Sequence, residues 1–393
     1  MKLIKNLKKI NKTKLKDICE INLGQSPSSE SYTQNESDFP FFQGAADFSY
    51  KNTIIRNYTN SPKKIANKDD LLMTVRAPVG RVNFANVDCS IGRGICSFKF
   101  KDESLKDYIY FYLNNLYKKN GWNMDIQGAI FDAVNKIQIE NKDITIDFQN
   151  YEKISIFLNN FENRIINYKK LLEKIEIRNN YYADKLLSGE LSIENGKITE
   201  KNVSQINVKL MDYLEIINGY PFKSNEMKSS GEFPVIKMSN FKDNKVSIKK
   251  NTVYTDNLID KVKILNGDLL IGLSGSVGEY AIFDLEETCL LNQRCIILRK
   301  KDNQISEYLK IYIIHKVLEE LKNSGEGGVI KNVSSNYFQD IEIKISDNYK
   351  EVYEFIIKID DEKDKVKKLL ELEEKRFEWL SDKLLSGEYI IED

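Results

Sequence analysis

The feature that most constrains this chain is a seven-residue stretch, DKLLSGE, found at 184–190 and again at 382–388. The match extends backwards without a gap, so that 157–190 and 355–388 share 15 identities in 34 positions. Agreement of this extent indicates an internal duplication. The chain is therefore expected to fold as two versions of one unit.

Weaker matches carry the duplication further upstream, with small gaps. They make each unit roughly 180 residues long, with a mixed region first and a long helix last. The corresponding segments are LKDICEINLG (15–24) and LMDYLEIING (210–219), DFPFFQG (38–44) and EFPVIKM (232–238), DDLLMTVRAPVGRV (69–82) and GDLLIGLSGSVGEY (267–280), and QGAI (127–130) and GGVI (327–330).

Each unit ends in an apolar heptad pattern that no proline or glycine interrupts. A helix of roughly 36 to 40 residues would be about 55 to 60 Å long, and it cannot bury such a stripe alone. The simplest partner of each helix is the other. The two series are Ile154, Leu158, Phe161, Ile165, Tyr168, Leu172, Ile175, Asn179, Tyr182 and Leu186, and Val352, Ile356, Ile359, Lys363, Val366, Leu370, Glu373, Phe377, Leu380 and Leu384.

The helix ends leave one question open. Gly189 and Gly387 suit the left-handed residue after a helix C-terminus, and Lys185 and Lys383 complement the negative end of the helix. A cap needs only the glycine, so repetition of all seven residues indicates either a plain cap or a further role such as a shared docking surface.

Two polar positions in the heptad pattern leave a second question open. Asn179 and Lys363 either fix the register of the paired helices or lie at a wet edge.

At 393 residues the chain is expected to form two or three domains. Its composition is that of a globular protein, because 41 % of the residues are apolar and aromatic residues are spread along the chain. Lys plus Arg and Asp plus Glu both number 59. The chain therefore lacks the overall positive charge that would indicate a nucleic-acid partner. The start MKLIKNLKKINKTK lacks a signal-peptide pattern, and no apolar run is long enough to span a bilayer. A cytoplasmic protein is expected.

The sequence offers little for catalysis. His315 is the only histidine and falls in an amphipathic helical stretch, where packing or surface exposure is expected. The stretch GLSGSVG (272–278) lacks the spacing of a nucleophile elbow, because Ser276 stands where glycine is required. There is no P-loop and no dinucleotide-binding fingerprint.

The five cysteines lack CxxC spacing and are expected to be buried strand thiols instead of metal ligands. Cys89 with Cys96 and Cys289 with Cys295 are expected at equivalent places in the two units.

Taken together, two diverged mixed α/β regions, each followed by a long heptad helix ending in LLSGE, resemble the specificity subunit of a Type I DNA restriction-modification system. The resemblance covers nearly the whole chain. It also rests on LKDICEINLGQSP and LMDYLEIINGYPF, on DLLMTVRAPVGRV and DLLIGLSGSVGEY, and on LLNQRC at 290–295.

The resemblance implies a mixed α/β (α+β) fold with a pseudo-two-fold internal repeat. Two target recognition domains, similar to those of adenine-N6 DNA methyltransferases, would be separated by two long antiparallel coiled-coil helices. The expected divisions are domain 1 at 1–150, the first helix at 151–190, a polar linker at 191–207, domain 2 at 208–348 and the second helix at 349–393.

The resemblance also implies a non-catalytic reader of double-stranded DNA. Two modification subunits would supply S-adenosylmethionine and adenine-N6 methyl transfer, and two restriction subunits, where present, would use ATP and Mg²⁺. The chain itself is expected to hold no cofactor and no metal. Its sequence agrees, since it contains no methyltransferase Asn/Asp-Pro-Pro-aromatic motif.

Polar residues in expected loops are the candidate DNA contacts. Arginine suits the O6 and N7 atoms of guanine and glutamate accepts from cytosine N4, so divergence between the units predicts unlike half-sites and an asymmetric target. The candidates are Gln25, Gln43, Arg76, Arg81, Arg93 and Gln127 in the first unit and Lys223, Lys237, Ser274, Ser276, Asn292, Gln293, Arg294, Lys331 and Asn332 in the second.

A competing interpretation is a coiled-coil interaction scaffold or inhibitor, derived from the same subunit, that contacts proteins and no longer reads DNA. The neutral overall charge agrees with this alternative. Footprinting distinguishes the two, because a reader protects two separated patches of DNA and a scaffold protects none.

Overall fold

The chain divides into two modules. Module 1 comprises Met1–Leu171 with Val366–Asp393, and module 2 comprises Leu172–Lys365. The computed structural model describes residues 2–5, 11–122, 133–200, 204–274, 278–301, 304–321 and 332–392. Two long helices, Tyr151–Leu187 and Tyr349–Leu385, each contribute one half to each module. Each module is therefore completed by helix from both sequence repeats.

Module 1 contains two main sheets and two strand pairs. Their strand orders are β4-β6-β5-β10-β7, β3-β11-β8-β9, β12-β2 and β1-β26. The strands, numbered along the chain, are β1 Lys2–Lys5, β2 Asn11–Lys14, β3 Cys19–Leu23, β4 Tyr32–Thr33, β5 Phe39–Phe42, β6 Asn57–Thr59, β7 Ile65–Ala66, β8 Leu71–Thr74, β9 Val82–Phe84, β10 Cys89–Ile91, β11 Ile95–Phe100, β12 Asp143–Ile146 and β26 Tyr389–Glu392.

Module 2 repeats this arrangement. Its strand orders are β16-β24-β21-β22-β19-β18, β20-β17-β23, β15-β25 and β13-β14. The strands are β13 Ser192–Glu194, β14 Lys197–Thr199, β15 Gln205–Lys209, β16 Leu214–Asn218, β17 Phe233–Ile236, β18 Phe241–Lys242, β19 Lys245–Val246, β20 Val253–Thr255, β21 Leu269–Gly272, β22 Tyr280–Ile282, β23 Leu290–Leu291, β24 Cys295–Lys300 and β25 Glu342–Ser346.

Short helices connect the strands in both modules. The α-helices are Leu15–Ile18, Lys106–Lys118 and Lys136–Glu140 in module 1, and Leu210–Tyr213, Gln304–Tyr312 and Ser335–Gln339 in module 2, where a π-helical turn, Ile313–Val317, follows Tyr312. The 3₁₀ turns are Ser29–Ser31, Ala45–Asp47, Glu103–Leu105, Ser224–Glu226, Met238–Asn240 and Asp260–Val262.

The central strands of the two modules match in order. The order β3-β11-β8-β9 corresponds to β16-β24-β21-β22, and β6-β5-β10 corresponds to β20-β17-β23. The hairpin register agrees as well, since the amide of Thr74 donates to the Arg81 carbonyl at 2.8 Å and that of Gly272 donates to the Glu279 carbonyl at 2.9 Å. The expected duplicated mixed α/β fold is confirmed.

Strand β21 shows why these segments are continuously apolar. Side chains alternate between the faces of a strand, and here both faces are covered. Leu269 and Ile271 lie in a core with the helical residue Leu309. Leu270 lies in a second core with Val235 of β17.

The long helices pair antiparallel within each module. In module 1, Phe161 stacks on Phe377 with ring centroids 6.3 Å apart, and Lys169 pairs with Glu374 at 2.7 Å. Partner numbers fall on the second helix as they rise on the first. All members of both heptad series are buried or half-buried, so the expected apolar stripes are confirmed.

In module 2 the apolar stripes of the long helices pack against different parts of the module along their length. Tyr182 packs on Phe355 of the other helix, with centroids 5.9 Å apart. Val352 and Ile356, at the start of the second helix, lie in a core that the sheet and short helices form together with Leu186 of the first helix. The stripes therefore bury against the domain as well as against each other.

All seven residues of DKLLSGE have the same intramolecular roles in both copies. In the first copy, Asp184 pairs with Lys316, Lys185 pairs with Glu190, and the Ser188 hydroxyl donates to the Lys185 carbonyl. The leucines are buried, and the glycine has a φ of 78°.

The second copy reproduces each contact. Asp382 pairs with Lys119, Lys383 with Glu388, and the Ser386 hydroxyl donates to the Lys383 carbonyl. Gly387 has a φ of 75°. A cap that also fastens the helix to the adjacent domain accounts for the repetition of the whole motif.

The segment 191–207, expected to be a polar linker, contains a hairpin. Glu194 pairs with Lys197 across a turn in which Asn195 and Gly196 have φ values of 50° and 74°. In module 1 the corresponding pair is formed by β1 and β26, in which Lys2 lies opposite Glu392.

Candidate nucleic-acid interface

Two candidate residues of module 1 follow parallel strands. Gln43 comes directly after β5, and Arg93 follows β10 by two residues. These strands are paired, with Phe42 opposite Ile91 and the Gly92 amide donating to the Phe42 carbonyl at 2.8 Å. Because parallel strands end at the same edge of a sheet, Gln43 and Arg93 lie side by side.

The second sheet brings two more candidates to this edge. The Val75 amide donates to the Gly94 carbonyl at 2.9 Å, which places Arg76 beside the turn that carries Arg93. The amide of Gln25 donates to the Ile91 carbonyl, also at 2.9 Å. The structure thus brings Gln25, Gln43, Arg76 and Arg93 together, and we call this edge polar edge 1.

Polar edge 1 surrounds a concavity of about 180 Å³. Gln43, Arg76 and Arg93 line it, and their side chains are exposed. Gly44, Ala45, Ala77 and Gly94 form much of the remaining wall, together with Ser26, whose hydroxyl accepts from the Arg93 amide at 3.1 Å. Sequence reasoning missed Ser26 and the small wall residues, although Ser26 directly follows Gln25.

Close approach of the backbone explains a glycine that both repeats carry. A Cβ at Gly24 would lie 2.2 Å from the Gly92 carbonyl oxygen, and one at Gly219 would lie 2.0 Å from that of Asn292. No side chain fits there. The glycines in EINLG and EIING therefore allow the chain to lie against the turn of the polar edge directly after β3 and β16.

Arg81 does not join the other candidates. Its guanidinium donates to the carbonyls of Ala45 at 3.2 Å and Phe48 at 3.4 Å, so it fastens a loop of its own module. It also lines a separate cavity of about 570 Å³, whose wall includes Glu162 and Phe377.

Module 2 builds the equivalent edge, polar edge 2. Lys237 follows β17, and Gln293 and Arg294 follow its parallel partner β23. The Leu273 amide donates to the Arg294 carbonyl at 2.9 Å, the counterpart of the bond from Val75 to Gly94.

The remaining candidates of module 2 differ in exposure. Ser274 bridges to Asn332, and its hydroxyl is buried with no hydrogen-bond partner among the described residues. Asn292 is buried, whereas Lys223 is exposed at the start of a 3₁₀ turn. Gln127, Ser276 and Lys331 lie outside the described residues, as do the segments QGAI and GGVI.

The two edges carry equal numbers of cations at different places. Their strand pairing and backbone hydrogen bonds make four positions equivalent, and two of the four are Lys or Arg in each module. The equivalent pairs are Gln43 and Lys237, Arg76 and Ser274, Arg93 and Gln293, and Gly94 and Arg294.

The cysteines are buried strand residues. Burial raises the pKa of Cys19, Cys89, Cys289 and Cys295 to about 12, so these thiols stay protonated near neutral pH. No cluster of three His, Cys, Asp or Glu side chains suited to a metal occurs among the described residues.

The expectation that Cys96 and Cys295 occupy equivalent places in the two modules is wrong. The amides of Ile95 and Cys295 both donate to the carbonyl three residues earlier, at 3.0 Å. Ile95 is therefore the counterpart of Cys295, and Cys96 lies one residue further along. Since side chains alternate along a strand, Cys96 and Cys295 point to opposite faces.

Equivalent carboxylates fasten each domain to a long helix. In module 1, Glu162 accepts from the Tyr110 hydroxyl at 2.6 Å and pairs with Lys51 at 3.1 Å. In module 2 the matching residue is Asp360, whose carboxylate lies 3.4 Å from Nε2 of His315. The only histidine is thus a packed residue with a structural partner.

A tandem of two similar α/β domains, each followed by a long helix, defines the class of protein. The family described as Type I restriction modification DNA specificity domain matches residues 8–177 and again 203–374. The two matches cover most of the chain, which therefore belongs to this family. The resemblance inferred from the sequence is confirmed.

Two curated relatives come from Methanocaldococcus jannaschii. The type I restriction enzyme MjaX specificity subunit is 33 % identical over 178 residues, which cover 44 % of this chain and 41 % of that protein. The MjaIX specificity subunit is 26 % identical over 313 residues, which cover 75 % and 66 %. The matches span less than two thirds of either relative.

Solved structures share the fold. The S subunit of a Type I restriction-modification system from M. genitalium aligns over 99 % of both chains, with a TM-score of 0.60 and 16 % identity. A chain from a study of assembly and conformational transition of the type I system aligns over 96 % of this chain and 98 % of its own, with a TM-score of 0.56 and 14 % identity. In the described part of this chain, no helix is long and apolar enough to cross a bilayer.

Proposed function

We propose that this chain is the non-catalytic DNA-reading subunit of a Type I restriction-modification complex and that its target is bipartite and asymmetric. The observation that carries the proposal is the pair of polar edges. Each places amide and cationic side chains at one edge of a module, and each belongs to a match of the specificity-domain family.

The side chains suit recognition of duplex DNA. Glutamine pairs with the N6 and N7 atoms of adenine, and lysine and arginine bind guanine or phosphate. Gln25 and Gln43 are exposed on polar edge 1, and Lys237, Gln293 and Arg294 lie on polar edge 2. Each edge would contact one half-site.

The long helices would set the interval between the half-sites. Each has 37 residues, which corresponds to about 55 Å at 1.5 Å per residue. Two readers on a rigid support meet the same face of DNA only when their sites lie about 34 Å, or a multiple of it, apart. The target would therefore contain two short half-sites with an unread gap.

Asymmetry follows from the exchanged side chains. The backbone hydrogen bonds of the two edges agree, but Gln25 is replaced by Tyr220 and Gln43 by Lys237. Because glutamine suits adenine and lysine suits guanine, the two edges would select different base sequences.

The same proposal assigns the chemistry to partners. Methylating a stacked adenine requires turning it out of the helix. Two modification subunits, which bind S-adenosylmethionine, would perform this step while the chain holds the flanking bases. Restriction subunits would add cleavage driven by ATP. Such a reader would act in the cytoplasm, where the DNA is.

The test uses this chain co-purified with its modification subunits. Methylome sequencing of cells that express the complex is expected to show one bipartite, non-palindromic motif, and footprinting is expected to show two protected patches. Two identical half-sites would contradict the asymmetry. A complex that protects no DNA would contradict DNA reading and favour the scaffold interpretation.

A further inference from the structure

The concavity of polar edge 1 carries two cations, Arg76 and Arg93. No acidic side chain lines it among the residues that the structure describes. Within the described part of the chain, neither guanidinium has an ion-pair or hydrogen-bond partner. Arg81 is different, because it donates to two carbonyls. The described side chains therefore give the concavity a double positive charge.

The shape of the site limits what those arginines bind. Base edges lie on the floor of a groove, so a protein reads them with side chains that protrude. Polar edge 1 instead recedes between Arg76 and Arg93 by a volume of about 180 Å³, with a wall of glycine and alanine. A receding cationic surface is complementary to a group that projects from the duplex, and phosphates project.

We infer that this concavity binds one phosphodiester group of the DNA backbone at the first half-site, an inference that rests on the proposed function. Arginine suits this task because its planar fork donates two hydrogen bonds to phosphate oxygens. Arg76 and Arg93 then position module 1 on the duplex without reading sequence. Gln25 and Gln43, on the rim, remain for the bases.

Among its described residues, module 2 lacks an equivalent phosphate-binding concavity. Ser274 and Gln293 replace the two arginines. Met238 stands at the position of Gly44, and its Sδ and Cε atoms lie 2.6 Å from an ideal Cβ on Gly272. The methionine side chain therefore packs where Thr74, the counterpart of Gly272, has its own buried side chain in module 1. Because both arginines are replaced, the backbone contacts of the two half-sites would differ.

The experiment measures DNA affinity of the complete complex against salt concentration, for target and non-target duplexes. In the variant Arg76→Ala/Arg93→Ala, affinity is expected to fall about tenfold for each arginine on both duplexes. The slope of log affinity against log salt concentration should become shallower by about 0.9, because the variant no longer neutralises one phosphate. The methylated motif should not change.

A matched control removes a positive charge elsewhere on module 1. Arg56 is exposed and does not line the concavity, so Arg56→Ala should keep the wild-type slope. In addition, a neutral methylphosphonate placed at successive positions of the first half-site should weaken wild-type binding at one phosphate. The double variant should be insensitive to that substitution.

The outcomes separate the two proposals. Relaxed specificity at one base pair, with unchanged non-target affinity, would show that the arginines read a base and would overturn the inferred phosphate binding. An unchanged salt slope in the double variant would overturn it as well. A wild-type complex that binds no DNA would instead refute the proposed function.

Discussion

Single glycines decide how closely the strands approach at each polar edge. Gly24 and Gly219 leave room for a carbonyl oxygen that a methyl group would contact at 2.2 Å and 2.0 Å. Those oxygens belong to the turns that carry Arg93 and Gln293. One missing side chain per module therefore sets the geometry of the edge.

We predict that Gly24→Ala lowers the free energy of unfolding by about 1–3 kcal/mol, because backbone atoms must move to admit the methyl group. Thermal or urea unfolding measures the change. Gly44→Ala is the control, since its Cβ would have no neighbour within 4 Å among the described residues and its φ of −176° is extended. Equal stability of the two variants would refute the explanation.

The carboxylate of Asp360 gives a prediction for pH. Burial acts to raise its pKa, but the hydrogen bond and charge of His315, the charge of Lys363 and the Asn179 side chain together lower it below 3.8. A lowered folded-state pKa adds stability above the unfolded value, and that stability is lost as the pH falls through the folded value.

Asp360→Asn should therefore lower the melting temperature at pH 6 by about 2–4 °C. The difference from the wild type should shrink as the pH falls below about 4, where the wild-type carboxyl also becomes neutral. Asp361→Asn, at the exposed neighbour, should show no such trend. Calorimetry at a series of pH values measures this, and a constant difference would argue against the pairing with His315.

Strand ends could be located from the sequence, but the direction of each side chain could not. Gln43 and Arg93 follow short apolar runs, so their position at a sheet edge was predictable. Arg76 and Arg81 lie in one hairpin, which reverses at Gly80 with a φ of 93°. Because that turn sends Arg81 back toward the loop at Ala45, only the structure separates the two arginines.

The long helices show what an apolar pattern does and does not specify. Their stripes predicted burial correctly at every position. The pattern could not show that Val352 and Ile356 bury against the domain core, since a stripe specifies burial and not the partner. The DKLLSGE contacts were equally hidden, because Lys119 and Lys316 lie far away in sequence.

Asn179 is the polar position of the first stripe that the structure places in full burial. Its amide donates to the Ile359 carbonyl of the other helix at 2.7 Å, and its side-chain oxygen accepts from Arg178. A wet edge is excluded for this residue, which is 1 % exposed. A buried amide bound to the opposite backbone is well placed to fix the register.

We predict that Asn179→Leu/Lys363→Met changes stability by no more than about 1 kcal/mol. Apolar replacement of the buried Asn179 is expected to be neutral or stabilising, whereas loss of the half-buried Lys363 removes a charge that stabilises the Asp360 carboxylate. Register should become less uniform, so methylome sequencing should reveal sites with more than one gap length. Ile175→Leu, a change within the same stripe, should keep a single gap. A single wild-type gap in the double variant would remove the register role.

Across the entire chain, the repeat seen in sequence and the modules seen in structure do not coincide. The sequence repeat ends after the first long helix, whereas module 1 takes its second helical half from Val366–Asp393. The duplication was visible from sequence identities. The contribution of the second repeat's helix to module 1 was not, because it depends on antiparallel pairing between segments about 200 residues apart. Helix from both repeats is needed to complete either module.

The pair β1-β26 leads to a prediction for chain connectivity. A chain that joins Glu392 to Lys2 through Asn-Gly, and is opened between Asn195 and Gly196, exchanges the two hairpins of the modules. We expect it to fold with a melting temperature within about 4 °C of the wild type and to direct methylation to the same motif. A chain opened between Leu171 and Leu172, inside the long helix, should be much less stable.

The strand pairs β1-β26 and β13-β14 therefore have equivalent places in the two modules, but only the second is joined by a turn. If the rearranged chain folds, strand pairing alone is enough to hold such a pair together, and the covalent turn is dispensable.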